Sequence, residues 1–384
     1  MHPLVIYAHR RPVTQVGFNS DGDLLFTSGK DNGMCVWDAY TGERLGTYEP
    51  HKGAVFSFSC TYDSTRLVTG SGDQCIRVFD VVSGTCLAEE MVKGVVRSVE
   101  WCTNPNKQNR FVACRDQFVS TPNSVSIWDY DEDSNKLTVN MQITGDNLPG
   151  KALQARWGLY DETIITIHDE KSDNNAATSI FIWDAITGDK LQQIEHAHER
   201  PITKCQFSAD RLLFVTASQD MTGNNNVMIT SYPTTFPYSA KLWNIRTWQC
   251  VKTYSSDRPI NDATINPLYR ADDDDEEVVE DKRDDGVLVS RRRQHVMLGG
   301  GQQARDVTTT SAKQGKFESC LFHMIYENEL GKVSGHFGPI NTLSWSPDGY
   351  TFVSGGEDGY VRVHHMDDDY TNDTSAAKKW GDDL

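Results

Sequence analysis

The chain has 384 residues, 38% of them hydrophobic and 10% aromatic, a composition that supports a large packed core and excludes a wholly disordered chain. Its formal charge of -17 repels phosphate backbones, which argues against direct nucleic-acid binding and favours basic partner segments. No apolar run of about 18 residues offers a membrane span, and the opening MHPLVIYAHRR lacks the apolar core of a secretory leader, so a cytoplasmic protein with no membrane association is expected. Nine cysteines at 35, 60, 75, 86, 102, 114, 205, 250 and 320 contain no C-x-x-C pair, which speaks against a disulfide framework or a zinc site and for reduced, mostly packed thiols.

In chain order the first predicted element is a short strand, PLVIY, at residues 3–7. Four strands follow, TQVGF, LLFTS, MCVWD and RLGTY, separated by turns rich in Gly, Asn and Asp that tolerate positive φ. The Thr-Gly or Ser-Gly turn before a fourth strand recurs at Thr41-Gly42, Ser83-Gly84 and Thr187-Gly188. Further third strands end at Trp128-Asp129, Trp183-Asp184 and Trp243-Asn244. Repeat starts fall near His9, His51, Gly94, Gly150, His198, Asp257 and His336, giving seven units with six or eight as the alternative counts, the fourth and sixth units being the least regular. The last unit stops after its third strand, VRVHH.

A side-chain pattern keeps register with these strands. His9, Thr27, Asp31 and Trp37 step by 18, 4 and 6 residues, and so do His51, Thr69, Asp73 and Phe79, and His336, Ser354, Asp358 and His364. His198, Thr216 and Asp220 keep the first two steps and lose the third to an insertion before Trp243. The pattern is that of a WD-repeat blade, and it predicts an all-β, seven-bladed propeller over residues 1–365, in which residues 3–7 complete the last blade. Residues 366–384 read as an acidic, flexible tail, and residues 272–285 hold ten acids against two bases.

Histidine, hydroxyl and carboxylate resemble a hydrolase triad, but a catalytic site is needed once and this set recurs in blade after blade. The expected role is structural: Asp orders a turn and holds His, His holds the hydroxyl, and the hydroxyl meets the indole N–H. Phe79 has no N–H, so that chain of bonds should stop one short, and His364 is a candidate donor in place of the indole. LGGGQ (298–302) lacks the Gly-Lys-Ser or Gly-Lys-Thr of a phosphate loop and reads as close backbone packing. Arg291 to Arg293 read as a solvated loop, and His364-His365 alternate across a strand, poor geometry for one metal. No cofactor, metal or catalytic residue is expected.

VMLGGGQQARDVTTTS (296–311), GKFES (315–319), GKVSGHFGPIN (331–341) and SGGEDGYVRVHH (354–365), with GDLLFTSGKD (22–31) and GERLGTYEPHKGAVFS (42–57), resemble the subunit i family of eukaryotic translation initiation factor three over nearly the whole chain. The resemblance implies a cytoplasmic, non-enzymatic scaffold that joins subunits b and g, and through them the small ribosomal subunit. It also implies that the C-terminal helical segment of subunit b docks on the rim of blades five and six. Carried over, the candidate contacts are Asp220, Thr203 and Lys204, although family members often have an acid where Lys204 stands. Two departures fall on those blades: residues 223–239 and 270–294 read as insertions. The first carries Tyr232, Phe236 and Tyr238, whose exposure would suit an interface anchor, or which could instead fold over their own blade. The alternatives are a signalling adaptor for a receptor kinase and a propeller hydrolase, the latter requiring one unrepeated polar cluster at the channel.

Overall fold

The computed structural model describes residues 3–49, 51–104, 107, 109–119, 121–144, 148, 150–169, 178–219, 238–269, 294–301, 317–367 and 370. Seven four-stranded antiparallel sheets make up the ring. Blade one is Val13–Phe18, Leu24–Gly29, Met34–Asp38 and Arg44–Thr47. Blades two to six repeat this order, starting at Val55, Val96, Lys151, Ile202 and Ile260. Blade seven takes Ile340–Trp345, Thr351–Gly356 and Tyr360–His365, and its fourth strand is Leu4–Tyr7 from the other end of the chain. Leu4 pairs with Val363 and Tyr7 with Tyr360, so the predicted closure holds and the third strand of the last blade is not left as an open outer edge.

Each blade buries both faces against its neighbours. The core accordingly falls into seven apolar clusters, one at every junction between consecutive blades. The alternation seen in LLFTS and MCVWD is therefore weak, because Leu25, Phe26, Cys35 and Val36 are all buried although they point to opposite faces. Fully burying a side chain such as Leu25 contributes about 1.5–3 kcal/mol.

The innermost strands carry a feature that repetition of residue types does not reveal. Every first strand slips register by one residue against the second, between Val13 and Gln15, Val55 and Ser57, Val96 and Ser98, Ala152 and Gln154, Ile202 and Lys204, Ile260 and Asp262, and Ile340 and Thr342. Such a bulge re-aims the next side chain. Here several of those side chains reach the neighbouring blade's backbone: Gln15 Oε1 accepts from Phe58 N at 3.2 Å, Ser57 Oγ from Val99 N at 3.2 Å, and Gln154 Oε1 from Cys205 N at 2.7 Å. Asp262 Oδ2 accepts from Leu343 N at 2.8 Å, and Thr342 Oγ1 from Val16 N at 3.3 Å. The result is a belt of polar ties around the axis.

LGGGQ packs as expected where it is described. A Cβ on Gly300 would collide with the carbonyl oxygen of Pro259, and one on Gly299 would lie 2.8 Å from Leu343 Cδ1. Gln302, Arg291 to Arg293, the acidic run 272–285 and all of the insertion 270–294 but Gln294 lie outside the described residues, as do positions 220–237 of blade five. Tyr238 and Ser239, read above as part of the insertion, instead open the third strand Tyr238–Asn244. Of the residues past 365, Met366, Asp367 and Tyr370 are described, and the Tyr370 hydroxyl shares hydrogen bonds with His295 Nδ1 at 2.8 Å and Asn266 Nδ2 at 3.1 Å.

Candidate functional site

The repeated polar set assembles within its blades. In blade one His9 Nδ1 lies 2.9 Å from Asp31 Oδ1, His9 Nε2 lies 3.0 Å from Thr27 Oγ1, and Trp37 Nε1 donates to that oxygen at 2.9 Å. Asp31 also accepts from the backbone N–H of Arg10 and Gly33, at 2.8 and 3.2 Å. Burial disfavours its charge, but the His9 hydrogen bond and charge together with those two N–H groups outweigh burial, and the Asp31 pKa falls to about 2. Blade two repeats the geometry through His51, Thr69 and Asp73, with His51 Nε2 2.7 Å from Thr69 Oγ1, and Phe79 ends the chain of bonds as expected by packing its ring on His51. In blade five His198 bonds Thr216 at 2.8 Å and Trp243 donates to the same hydroxyl at 2.9 Å, while Asp220 lies outside the described residues.

Blade seven departs from expectation. His336 bonds Asp358 and Ser354 at 3.1 and 2.9 Å, but His364 does not replace the indole. It stacks on Phe352, with ring centroids 4.5 Å apart and planes inclined by 13°, and its Nδ1 has no hydrogen-bond partner among the described residues. Two arginines completing these networks went unread in the sequence: Arg77 and Arg362 donate to Asp73 and Asp358 at 2.7 and 3.3 Å. Their signal was present, since each stands four residues after its Asp. In blade four the histidine enters from the second strand, His168 meeting Thr166 at 2.7 Å beneath Trp183.

His9, His51, His198 and His336 are thus all buried, each with its Nε2 on a hydroxyl of its own blade. Among the described residues no group of three or more His, Cys, Asp or Glu side chains is arranged to hold a metal, and no helix is long and apolar enough to cross a membrane. All nine cysteines are free thiols, six of them buried.

Of the expected partner contacts, Thr203 and Lys204 come together on blade five's innermost strand rather than on its rim. Thr203 Oγ1 donates to Ala217 O at 3.1 Å. Lys204 occupies the belt position after the bulge, and its Nζ reaches Asp262 Oδ2 at 3.4 Å and the carbonyl of Thr14, in blade one, at 3.2 Å. The Lys204 side chain is 22% exposed and lines an axial cavity of about 510 Å3, and burial pulls its pKa down against the pull of Asp262. Tyr238 is half-buried at the start of its strand, and Tyr232 and Phe236 lie outside the described residues.

The WD domain, G-beta repeat model matches residues 2–38, 42–80, 189–222 and 327–365, which takes in the strands of blades one and seven, the first three of blade two and the first two of blade five. Over the whole chain the similarity is more specific. Eukaryotic translation initiation factor 3 subunit I of Drosophila grimshawi is 37% identical over 373 residues, 96% of this chain and 98% of that protein. The chain belongs to the subunit I family. The protein of the same name from Aspergillus terreus is 36% identical across 96% of both chains, and that of Culex quinquefasciatus 35% identical over 371 residues. Family membership makes this protein a translation initiation factor and gives its seven blades a place in a multisubunit complex.

Proposed function

We propose that this subunit I protein is a non-enzymatic cytoplasmic scaffold that binds subunits b and g of initiation factor three and through them supports recruitment of the small ribosomal subunit and start-site selection. The observation that carries the reading is the match to subunit I proteins along 96% of the chain, over a ring whose repeated polar groups are consumed in holding blades. The docking patch assigned to the C-terminal helical segment of subunit b comprises Asp220, Thr203, Lys204, Tyr232, Phe236 and Tyr238 of blade five, with Thr203 and Lys204 at its channel end. Aromatic anchors of this type carry much of an interface's energy. Contact with ribosomal RNA is indirect, since a net charge of -17 opposes a phosphate backbone.

Affinity purification of the tagged protein from its own cytosol, read by mass spectrometry, tests the assignment. Subunits b and g are expected to survive the most stringent wash, and a receptor or kinase set recovered without them would replace it. Removing residues 223–237, which stops short of the strand Tyr238–Asn244, should weaken capture of subunit b; unchanged capture would dismiss Tyr232 and Phe236 from the patch.

A further inference from the structure

One end of the ring differs in charge from the rest of the molecule. The loops that hold the His–Asp pairs sit together there. His9 N bonds Gly359 O of blade seven at 3.0 Å, Lys30 N bonds Pro12 O at 2.9 Å, and Gly72 N bonds Ala54 O at 2.8 Å. Thr14 Oγ1 donates to Val55 O across blades one and two, and the Arg97 guanidinium of blade three lies 4.8 Å over the Phe56 ring of blade two.

Along this arc stand Arg10, Arg11, Lys30, Lys52 and Lys93, all exposed, and the half-buried Arg115. Arg115 donates to the Lys93 carbonyl, and none of the six has a carboxylate partner among the described residues. The acids of the same loops are turned inward. Asp31, Asp73 and Asp358 bind their histidines, and Asp116 binds Arg97 at 2.7 Å. The exposed acids beside the arc are Glu49 and, on the strand leading to Lys93, Glu89 and Glu90, of which Glu89 pairs with Arg77. Burying acids and leaving cations free gives a locally positive arc on a chain of net charge -17. Its two ends carry exposed aromatics: Phe337 of blade seven is 85% exposed and Phe118 of blade three 43%.

We propose that this arc docks an acidic segment of a partner protein, with Phe337 and Phe118 as apolar anchors at its ends. A short acidic segment matches a charge patch of limited extent, whereas a long polyanion would run past the arc onto the rest of the chain, where acids outnumber bases. The proposal goes beyond the blade-five reading and stands if that reading fails.

Titration of the full chain with a synthetic glutamate-rich peptide bearing a phenylalanine at each end, followed by fluorescence anisotropy, tests it. Binding should weaken with added salt, and reversal of Arg10, Arg11, Lys30 and Lys52 to Glu should cost about tenfold in affinity or more. Circular dichroism checks that the reversal variant stays folded. Phe337→Ala should weaken binding while leaving the salt dependence unchanged, since it removes an anchor and no charge. No binding at low salt, or equal binding by the folded reversal variant, would overturn the proposal. Tighter binding of poly-uridine RNA than of the peptide would overturn it in favour of a nucleic acid.

Discussion

At the scale of single residues, the repeated carboxylates convert a hydrogen-bond network into pH-dependent stability. Asp31 and Asp358 have folded pKa values of about 2 against an ordinary value of 3.8. Depressed values mean stability that is present above roughly pH 4 and lost as pH falls toward 2, because only the unfolded state takes up those protons in that window. Asp31→Ala or Asp358→Ala leaves turn N–H groups and a buried histidine without their acceptor, and should cost about 1–3 kcal/mol in thermal melts with no catalytic consequence; an unchanged melting temperature would remove the carboxylate from the network. His364 acts at higher pH. Burial, together with the charges of His336 and Arg362, pushes its pKa down to about 3 from 6.5. The unfolded chain therefore binds the proton first, and stability should decline as pH drops below about 6.5. His364→Trp replaces a buried titratable ring with the residue that blades one and five use to meet their hydroxyl. Melting curves between pH 7 and pH 4 should then flatten relative to the parent protein, and an equal slope in both would show that His364 does not set it.

At the scale of elements, the N-terminal strand tests whether the ring is one cooperative unit. Leu4–Tyr7 covers the edge of Tyr360–His365, buries Ile6 in the junction of blades seven and one, and brings Tyr7 to 5.1 Å from Tyr360. Deleting residues 1–7 removes that ladder and one buried apolar side chain, a loss of about 4 kcal/mol or more. The truncated protein should melt earlier and self-associate through the bared edge; a melt matching the intact protein would disprove closure by this strand. The strand was legible because a final repeat one strand short implies a donor elsewhere. The blades were legible because His, hydroxyl, Asp and aromatic recur at fixed offsets, each needed to satisfy the same bonds. The belt was not. Its positions hold Gln15, Ser57, Ser98, Gln154, Lys204, Asp262 and Thr342, which share a place after a bulge but no common side chain, and a bulge leaves no mark in residue type. For the same reason the axial position of Lys204 was not legible, since it follows from the register shift between Ile202 and Lys204.

At the scale of the whole molecule, the belt makes the ring more than seven neighbours in sequence. Residues 272–285 and 366–384 together supply twelve of the seventeen net negative charges, being eight and four negative respectively, so the remainder of the chain is close to neutral and can afford charged groups near its axis. Lys204 uses that freedom. It joins blade five to Asp262 of blade six and to the Thr14 carbonyl of blade one, while Gln206 adds 2.9 Å bonds to Asp262 Oδ1 and to Leu343 O of blade seven. Asp262 has no solvent exposure, so its carboxylate depends on these donors and on the N–H groups of Ala263 and Leu343. Lys204→Met keeps the length of the side chain and removes the cation, leaving a buried anion held by neutral donors alone. Breaking such a pair should cost about 3 kcal/mol in urea denaturation. Asp262→Asn in the same chain removes the stranded charge and should recover part of that loss. Full stability in Lys204→Met would mean that Gln206 and the two backbone N–H groups suffice, whereas a double variant no better than the single would place the cost in the lost bond to Thr14, the tie that crosses the channel.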